Sequence, residues 1–115
     1  MSTEDANEPA GRWIPAGPLA DLPERRPCWR RAGGLQIAVV RDGEAVHALA
    51  DACPHQGASL AGGRVAAGRL RCPAHGLEFD LKTGRMATTA LTVQCFRTAV
   101  HEGKVWILVP SATPD

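Results

Sequence analysis

Two cysteines and two histidines lie close together in the middle of the chain, arranged as two short pairs. The first pair is Cys53-Pro-His55, and the second is Cys72-Pro-Ala-His75. In each pair a proline follows the cysteine and fixes φ, and a glycine follows the histidine within two residues. Thiolate and imidazole together are ligands of zinc and of iron–sulfur centres, so two loops built alike predict a shared metal site.

The order of the ligands favours an iron–sulfur centre over a zinc ion. A structural zinc site commonly pairs like ligands, as in C-x₂₋₄-C with a later H-x₃₋₅-H. Here each loop contributes one cysteine and one histidine. This arrangement does not forbid mononuclear zinc, so a zinc site stays open as an alternative.

The whole pattern resembles the cluster-binding motif of the Rieske [2Fe–2S] family. Cys53-x-His55 is followed by 16 residues and then by Cys72-x-x-His75, and the segments CPHQGASL and CPAHGLEFDLKTG are similar to the family's two loops. The resemblance, which extends over about residues 11–109, implies one [2Fe–2S] cluster per chain. It implies that Cys53 and Cys72 bind a buried iron and that His55 and His75 bind an outer iron.

Such a cluster implies electron transfer rather than catalysis. Two Fe³⁺, two sulfides and two thiolates sum to zero charge with neutral histidines, so adding an electron is easier than with four thiolates. All coordination positions are filled, so the centre cannot activate a substrate by itself. We therefore expect an electron-transfer protein that is not catalytic alone, with His55 and His75 at the tip where partners dock.

The residues around the ligands indicate a low reduction potential. High-potential members of the family carry an extra cysteine in each loop, which form a disulfide, and Ser and Tyr hydroxyls that bond the cluster sulfurs. This chain resembles the other members, because Ala58 and Ala74 occupy the cysteine positions, Leu77 stands in place of Ser, and Tyr is absent from the sequence. We expect a potential near the lower end of the range of roughly −150 to +300 mV.

The resemblance also implies partners. The chain is similar to the soluble ferredoxin component of ring-hydroxylating oxygenase systems, which takes electrons from a flavin-dependent reductase and passes them to a terminal oxygenase. An alternative is the small Rieske subunit of an NAD(P)H-dependent nitrite reductase. A structural zinc module that scaffolds a complex is a third hypothesis, from a different class.

The remaining cysteines and histidines fit structural roles. Cys28 and Cys95 are predicted to be small apolar side chains in strands, although a disulfide between them stays open. His47 and His101 are predicted not to be ligands, since the outer iron already has two histidines.

Three arginines lie between the two loops. Arg69 and Arg71 alternate along one predicted strand, with Arg64 nearby. They form either a solvated polar face or a basic patch that docks an acidic partner.

Short apolar runs separated by turn residues predict an all-β fold. No window shows a helical period over ten residues, and many short strands with glycine turns favour a small antiparallel sandwich or open barrel. With the resemblance this becomes a Rieske fold with a two-loop cluster-binding subdomain. The patterns predict edge strands at 13–17 and around 28–30, and hairpins at 35–50, 63–72, 76–88 and 92–109.

Composition excludes several other classes. Among 115 residues, 13 basic and 12 acidic side chains give a net charge of +1, which argues against nucleic-acid binding and a polybasic membrane surface. The apolar runs are too short to span a bilayer, and the acidic start MSTEDANEPA does not resemble a signal peptide. We expect a cytoplasmic monomer with a disordered tail over 1–10, a single domain over 11–109 and a tail over 110–115.

Overall fold

The computed structural model describes residues 7–8, 11–52, 59–74, 76–86 and 91–110, and strands dominate this part of the chain. Its regular helical elements are two single turns of 3₁₀ helix, Leu19–Asp21 and Leu60–Gly62. The strands are β1 (Asn7–Glu8), β2 (Gly11–Pro18), β3 (Cys28–Ala32), β4 (Leu35–Asp42), β5 (Ala45–Ala50), β6 (Arg64–Ala66), β7 (Arg69–Arg71), β8 (Glu78–Asp80), β9 (Cys95–Phe96), β10 (Thr98–His101) and β11 (Lys104–Pro110).

These strands form three antiparallel sheets and confirm the predicted all-β class. The first sheet has the order β1-β2-β11-β10, the central sheet β3-β4-β5-β9, and the small sheet β6-β7-β8. Over the described residues the sheets are open and do not close into a barrel. In the described residues, no helix is long and apolar enough to cross a membrane.

The central sheet carries a hydrophobic core on each face. Ile37 and Val39 of β4 pack with residues of the first sheet, such as Ile107, to form the first core. Ala38 and Val40 point to the opposite face and pack with residues of the small sheet, such as Phe79, to form the second core. Both faces of β4 are covered, which explains why the sequence there is apolar without alternation.

Three of the predicted hairpins are confirmed, and their turns explain the sequence. Gly43 has φ +65° at the first position of the turn between β4 and β5, as a type II′ turn requires. Ala67 and Gly68 have φ values of 53° and 74°, and Glu102 and Gly103 have 52° and 76°. A positive φ at both central residues is the geometry of a type I′ turn, which matches the twist of the flanking strands.

The predicted hairpin over 76–88 forms only in part. β8 ends at Asp80, whose Oδ1 accepts hydrogen bonds from the backbone N–H groups of Lys82 at 2.7 Å and Thr83 at 3.1 Å. The returning chain makes an isolated bridge between Phe79 and Met86 rather than a strand. The turn at Asp80 thus ends the strand early.

The segment 92–100, predicted as one strand, is divided between two sheets. β9 pairs with β5 in the central sheet, with Leu49 opposite Cys95, whereas β10 pairs with β11, with Thr98 opposite Ile107. The carbonyl of Arg97, between them, accepts a hydrogen bond from the N–H of Leu108 at 2.9 Å. A chain that crosses between sheets keeps the alternation of one strand, so the pattern did not reveal the break.

The first strands of the chain differ from the prediction in two respects. β2 covers the predicted edge strand 13–17 but lies inside the first sheet, between β1 and β11, whereas β3 is an edge strand as expected. β1 itself, at Asn7–Glu8, falls within the span predicted as a disordered tail and pairs with Arg12 and Gly11. The domain boundaries at 11 and 109 remain a prediction, since residues 1–6, 9–10 and 111–115 lie outside the described residues.

Candidate metal centre

Cys72 is the predicted ligand that the structure describes, and it lies directly after β7. The side chain is buried, with 1% of its surface exposed, and belongs to the second core beside Leu70 and Phe79. The other three predicted ligands, Cys53, His55 and His75, lie outside the described residues. The position of Cys72 fits the inner side of a metal centre, where water is excluded.

The second predicted loop is closed by its own backbone. The N–H of Cys72 donates to the carbonyl of Leu77 at 2.7 Å, and the N–H of Gly76 donates to the carbonyl of Cys72 at 2.9 Å. Gly76 has φ +71°, a conformation that L side chains rarely adopt. These bonds join the two ends of the loop. The left-handed φ at position 76 explains why a glycine follows the predicted ligand.

The base of the first predicted loop is held by a buried carboxylate. Asp51 is 8% exposed, and its Oδ2 accepts a hydrogen bond from Ser59 Oγ at 2.7 Å. Its Oδ1 accepts one from the N–H of Ala61 at 2.6 Å. The N–H of Asp51 donates to the carbonyl of Gln36 at 2.9 Å, which fixes this point to β4. Asp51 therefore joins the start of the 53–58 segment to its end, a role that the sequence reasoning missed.

The two loop bases meet at a cleft. A cavity of about 580 Å³ opens beside Cys72 and is lined by Gly62, Gly63, Arg64, Arg71, Cys72, Pro73, Ala74 and Gly76. A Cβ placed on Gly62 would lie 3.7 Å from Cγ of Pro73, so the chain leaving the first loop touches the second. A Cβ on Gly63 would collide with the carbonyl oxygen of Arg71. Glycine at these positions allows the two loops to approach.

This arrangement fits a cluster held from two sides. A buried thiol lines a cleft between two loop bases. The first loop contains two further predicted ligands, Cys53 and His55, and the second contains one, His75. Within the described ranges alone, no group of three or more Cys, His, Asp or Glu side chains gathers to hold a metal elsewhere. Two leucines flank the cleft: Leu60 is fully buried in the second core, and Leu77 packs against that core while partly exposed.

Cys28 and Cys95 lie on opposite faces of the central sheet. Cys28 is opposite Val39 and packs on the first core, whereas Cys95 is opposite Leu49 and packs on the second. The two strands, β3 and β9, are three strand spacings apart, roughly 14 Å. A disulfide between them is therefore excluded by geometry. Both thiols are half-buried rather than fully buried, and burial raises the pKa of Cys95.

The two remaining histidines lie in strands. His47 is half-buried in β5, and this burial lowers its pKa, with a smaller opposing effect from the Asp42 carboxylate. His101 lies at the end of β10, with Nε2 3.2 Å from Glu102 Oε1.

The fold and the site together define a class, a small protein of open antiparallel sheets with a buried cysteine at the base of two loops. The family model described as "Rieske [2Fe-2S] domain" matches residues 12–102. The chain belongs to this family, and its cofactor is accordingly a [2Fe–2S] cluster of Rieske type.

Similar proteins extend over nearly the whole domain. The chain is 33% identical over 99 residues to the anthranilate 1,2-dioxygenase ferredoxin subunit of Burkholderia cepacia, covering 84% of this chain and 92% of that protein. It is similar to the ferredoxin of carbazole 1,9a-dioxygenase from Nocardioides aromaticivorans, at 27% identity and a TM-score of 0.79, covering 84% of this chain and 96% of that one. A chain in a complex of reduced oxygenase and oxidized ferredoxin in carbazole 1,9a-dioxygenase is 28% identical, with a TM-score of 0.77, covering 88% of this chain and 96% of that one.

Proposed function

We propose that this protein is a Rieske ferredoxin that passes single electrons to a terminal oxygenase. The observation that carries the proposal is the match to a dioxygenase ferredoxin subunit over 92% of that protein's length. The similarity to a chain from an oxygenase–ferredoxin complex supports an oxygenase as the acceptor. Carriers of this kind are components of an oxidoreductase system and are not catalytic alone.

We infer that Cys53 and Cys72 hold the inner iron and that His55 and His75 hold the outer iron. The burial of Cys72 at the cleft supports the inner position, because an apolar shell limits the access of water to that side of the centre and thereby helps to set its reduction potential. When bound, the cluster supplies reversible one-electron transfer. The chain itself shields the Cys72 side, and backbone hydrogen bonds from Cys72 to Leu77 and from Gly76 to Cys72 close the second loop.

The donor, the oligomeric state and the location belong to the same proposal. We infer that a flavin-dependent reductase donates the electrons, that the protein is a monomer when no partner is bound, and that it is cytoplasmic. The potential is proposed to be low, since Ala74 is exposed in the second loop where a disulfide cysteine would stand, and Leu77 offers no hydroxyl.

The first test is the EPR spectrum of the pure protein after ascorbate and then after dithionite. Ascorbate reduces only high-potential centres, so we expect a Rieske-type signal with dithionite alone. A signal already present with ascorbate would contradict the low potential. No signal with either reductant, in protein of full metal content, would refute the cluster and favour zinc.

The ligand assignment and the carrier role need separate measurements. His55→Cys and His75→Cys should each shift or abolish the signal, while Cys28→Ala leaves it intact; unchanged spectra in both histidine variants would remove the assignment. For the carrier role, NADH and a flavin-dependent ferredoxin reductase should reduce cytochrome c only when the protein is added. Stable co-purification with a large flavin or haem protein would instead favour the nitrite reductase type of subunit.

A further inference from the structure

The outward face of the small sheet carries two arginines that repel each other. Arg64 of β6 lies directly opposite Arg71 of β7, and like charges in this position destabilise a sheet. Both side chains are exposed, and within the described part of the chain no salt bridge joins either of them to a carboxylate.

Arg69, two residues away on the same face, is in a different situation. Its Nη1 lies 3.6 Å from Oε1 of Glu78, and its cross-strand neighbour on β8 is Asp80. Arg69 also contributes to the lowered pKa of the Asp80 carboxyl, after the larger effect of backbone hydrogen bonds. Glu78 is also the cross-strand neighbour of Arg71, but its carboxylate forms its ion pair with Arg69. Among the described residues, Arg64 and Arg71 are therefore the arginines of this face without an ion pair.

These two arginines stand at the rim of the metal site. Both line the cleft that contains Cys72. The guanidinium of Arg71 lies over the second loop, because a Cβ on Gly76 would be 2.9 Å from Arg71 Nη2 and 3.1 Å from its Nε. Gly76 follows His75, the residue inferred to bind the outer iron.

We propose that Arg64 and Arg71 form a basic docking surface that receives the acidic face of a redox partner protein. The proposal rests on the proposed function, because it takes the cluster loops as the point where the electron leaves. Carboxylates of a partner would supply counter-charges to the two guanidinium groups. Charges at the rim of an interface chiefly raise the rate of encounter, so the surface should act on association.

The test compares two double variants that lose the same charge. Arg64→Gln/Arg71→Gln removes the docking surface. Arg25→Gln/Arg26→Gln removes two exposed arginines near Arg41, at the hairpin end of β4 and β5, opposite the end that leads to Asp51. Each reduced protein is mixed by stopped flow with an acidic cytochrome b₅ domain or with basic cytochrome c, at low and at high ionic strength.

We expect the parent protein to reduce the acidic acceptor fastest at low ionic strength. The Arg64→Gln/Arg71→Gln variant should be slower by on the order of tenfold there and should lose its salt dependence. The Arg25→Gln/Arg26→Gln variant should stay close to the parent, and Arg64→Lys/Arg71→Lys should recover most of the rate. With basic cytochrome c the order should reverse, because the docking surface then repels the acceptor.

Three results would overturn the proposal. Equal losses in both glutamine variants would show that only net charge matters. Unchanged rates in Arg64→Gln/Arg71→Gln would show that these arginines do not meet the acceptor. Failure of the lysine variant to recover the rate would show that charge is not the cause. EPR of each reduced variant separates this from the proposed function. A normal signal with unchanged rates rejects the docking surface alone, whereas absence of the signal in the parent protein rejects the carrier itself.

Discussion

At the scale of single residues, Asp51 joins the two ends of the first loop. Its two carboxylate oxygens bind Ser59 and Ala61, on the far side of the segment that contains the predicted ligands Cys53 and His55. Hydrogen bonds to charged groups each contribute about 1.5–3 kcal/mol, and a buried donor left without a partner costs about 1–3 kcal/mol. The hydrogen bonds of this one side chain thus offset the conformational entropy that the chain would gain if the two ends of the loop separated.

Asp51→Ala should weaken both the fold and the retention of the cluster. The substitution leaves the N–H of Ala61 without its acceptor, so we expect a loss of about 2–4 kcal/mol in the free energy of unfolding. Iron release, followed by loss of visible absorbance under a chelator, should accelerate at least severalfold.

Two conservative variants separate the carboxylate from mere packing at this position. Ser59→Ala removes only the hydroxyl bond, from an exposed residue, so its effect should be clearly smaller than that of Asp51→Ala. Asp51→Asn retains one acceptor for Ala61 and should fall between the two. Iron release as slow in Asp51→Ala as in the parent protein would show that this carboxylate does not hold the loop.

The ligand residues and Asp51 differ in how well a sequence can reveal them. Cys72 could be predicted because thiolate and imidazole pairs recur at fixed spacing, and its burial agrees with the inner position. Asp51 is an ordinary acidic residue between a strand and a loop. Its function depends on Ser59 and Ala61 folding back onto it, and no spacing rule encodes that contact.

At the scale of elements, the turn after β8 depends on a glycine that permits close contact. Gly84 has φ +74°, and a Cβ there would collide with the carbonyl oxygen of Val93 and lie 2.9 Å from Cys95 Sγ. The N–H of Val93 donates to the carbonyl of Gly84 at 2.8 Å, so this turn is fastened to the segment before β9.

Gly84→Ala should therefore destabilise the protein more than glycine conformation alone explains. A left-handed backbone costs an alanine roughly 1–2 kcal/mol, and overpacking against Val93 adds about 1–3 kcal/mol. Gly103→Ala is the matched control, because Gly103 has φ +76° with nothing within 4 Å of the added Cβ. Urea unfolding of both variants measures the difference, and equal losses would disprove the close contact.

The hairpins show which elements a sequence can predict. These three hairpins were predictable because each turn contains a glycine, Gly43, Gly68 or Gly103, with a positive φ. The first turn lies at 43–44, one residue later than the Asp42-Gly43 pair that predicts it. The split of 92–100 between β9 and β10 was not predictable, because alternation of apolar and polar residues indicates a strand but not the sheet to which it belongs. Likewise the inner position of β2 depends on pairing with β11, which lies at the other end of the sequence.

At the scale of the whole molecule, two cores share one central sheet but differ in their relation to the metal. The first core joins the central sheet to the first sheet, and the described residues that form it do not include Cys72. The second core joins the central sheet to the small sheet and includes Cys72. The strands of the small sheet have only three residues each, so they depend on this core and on the loops they carry.

Loss of the cluster should consequently destabilise the small sheet and leave the first and central sheets intact. Metal ligation stabilises the parts of a fold that supply the ligands, and regions with few contacts open first. In protein stripped by a chelator, or in Cys72→Ser, the amides of β6, β7 and β8 should exchange hydrogen much faster, while those of β2, β4 and β11 keep their protection.

Cys28→Ala, which alters a cysteine on the first core, should leave the cluster and the exchange of the small sheet unchanged. Uniform loss of protection across all three sheets would mean that the two cores unfold as one unit, and full protection of the small sheet without metal would mean that its packing does not depend on the cluster.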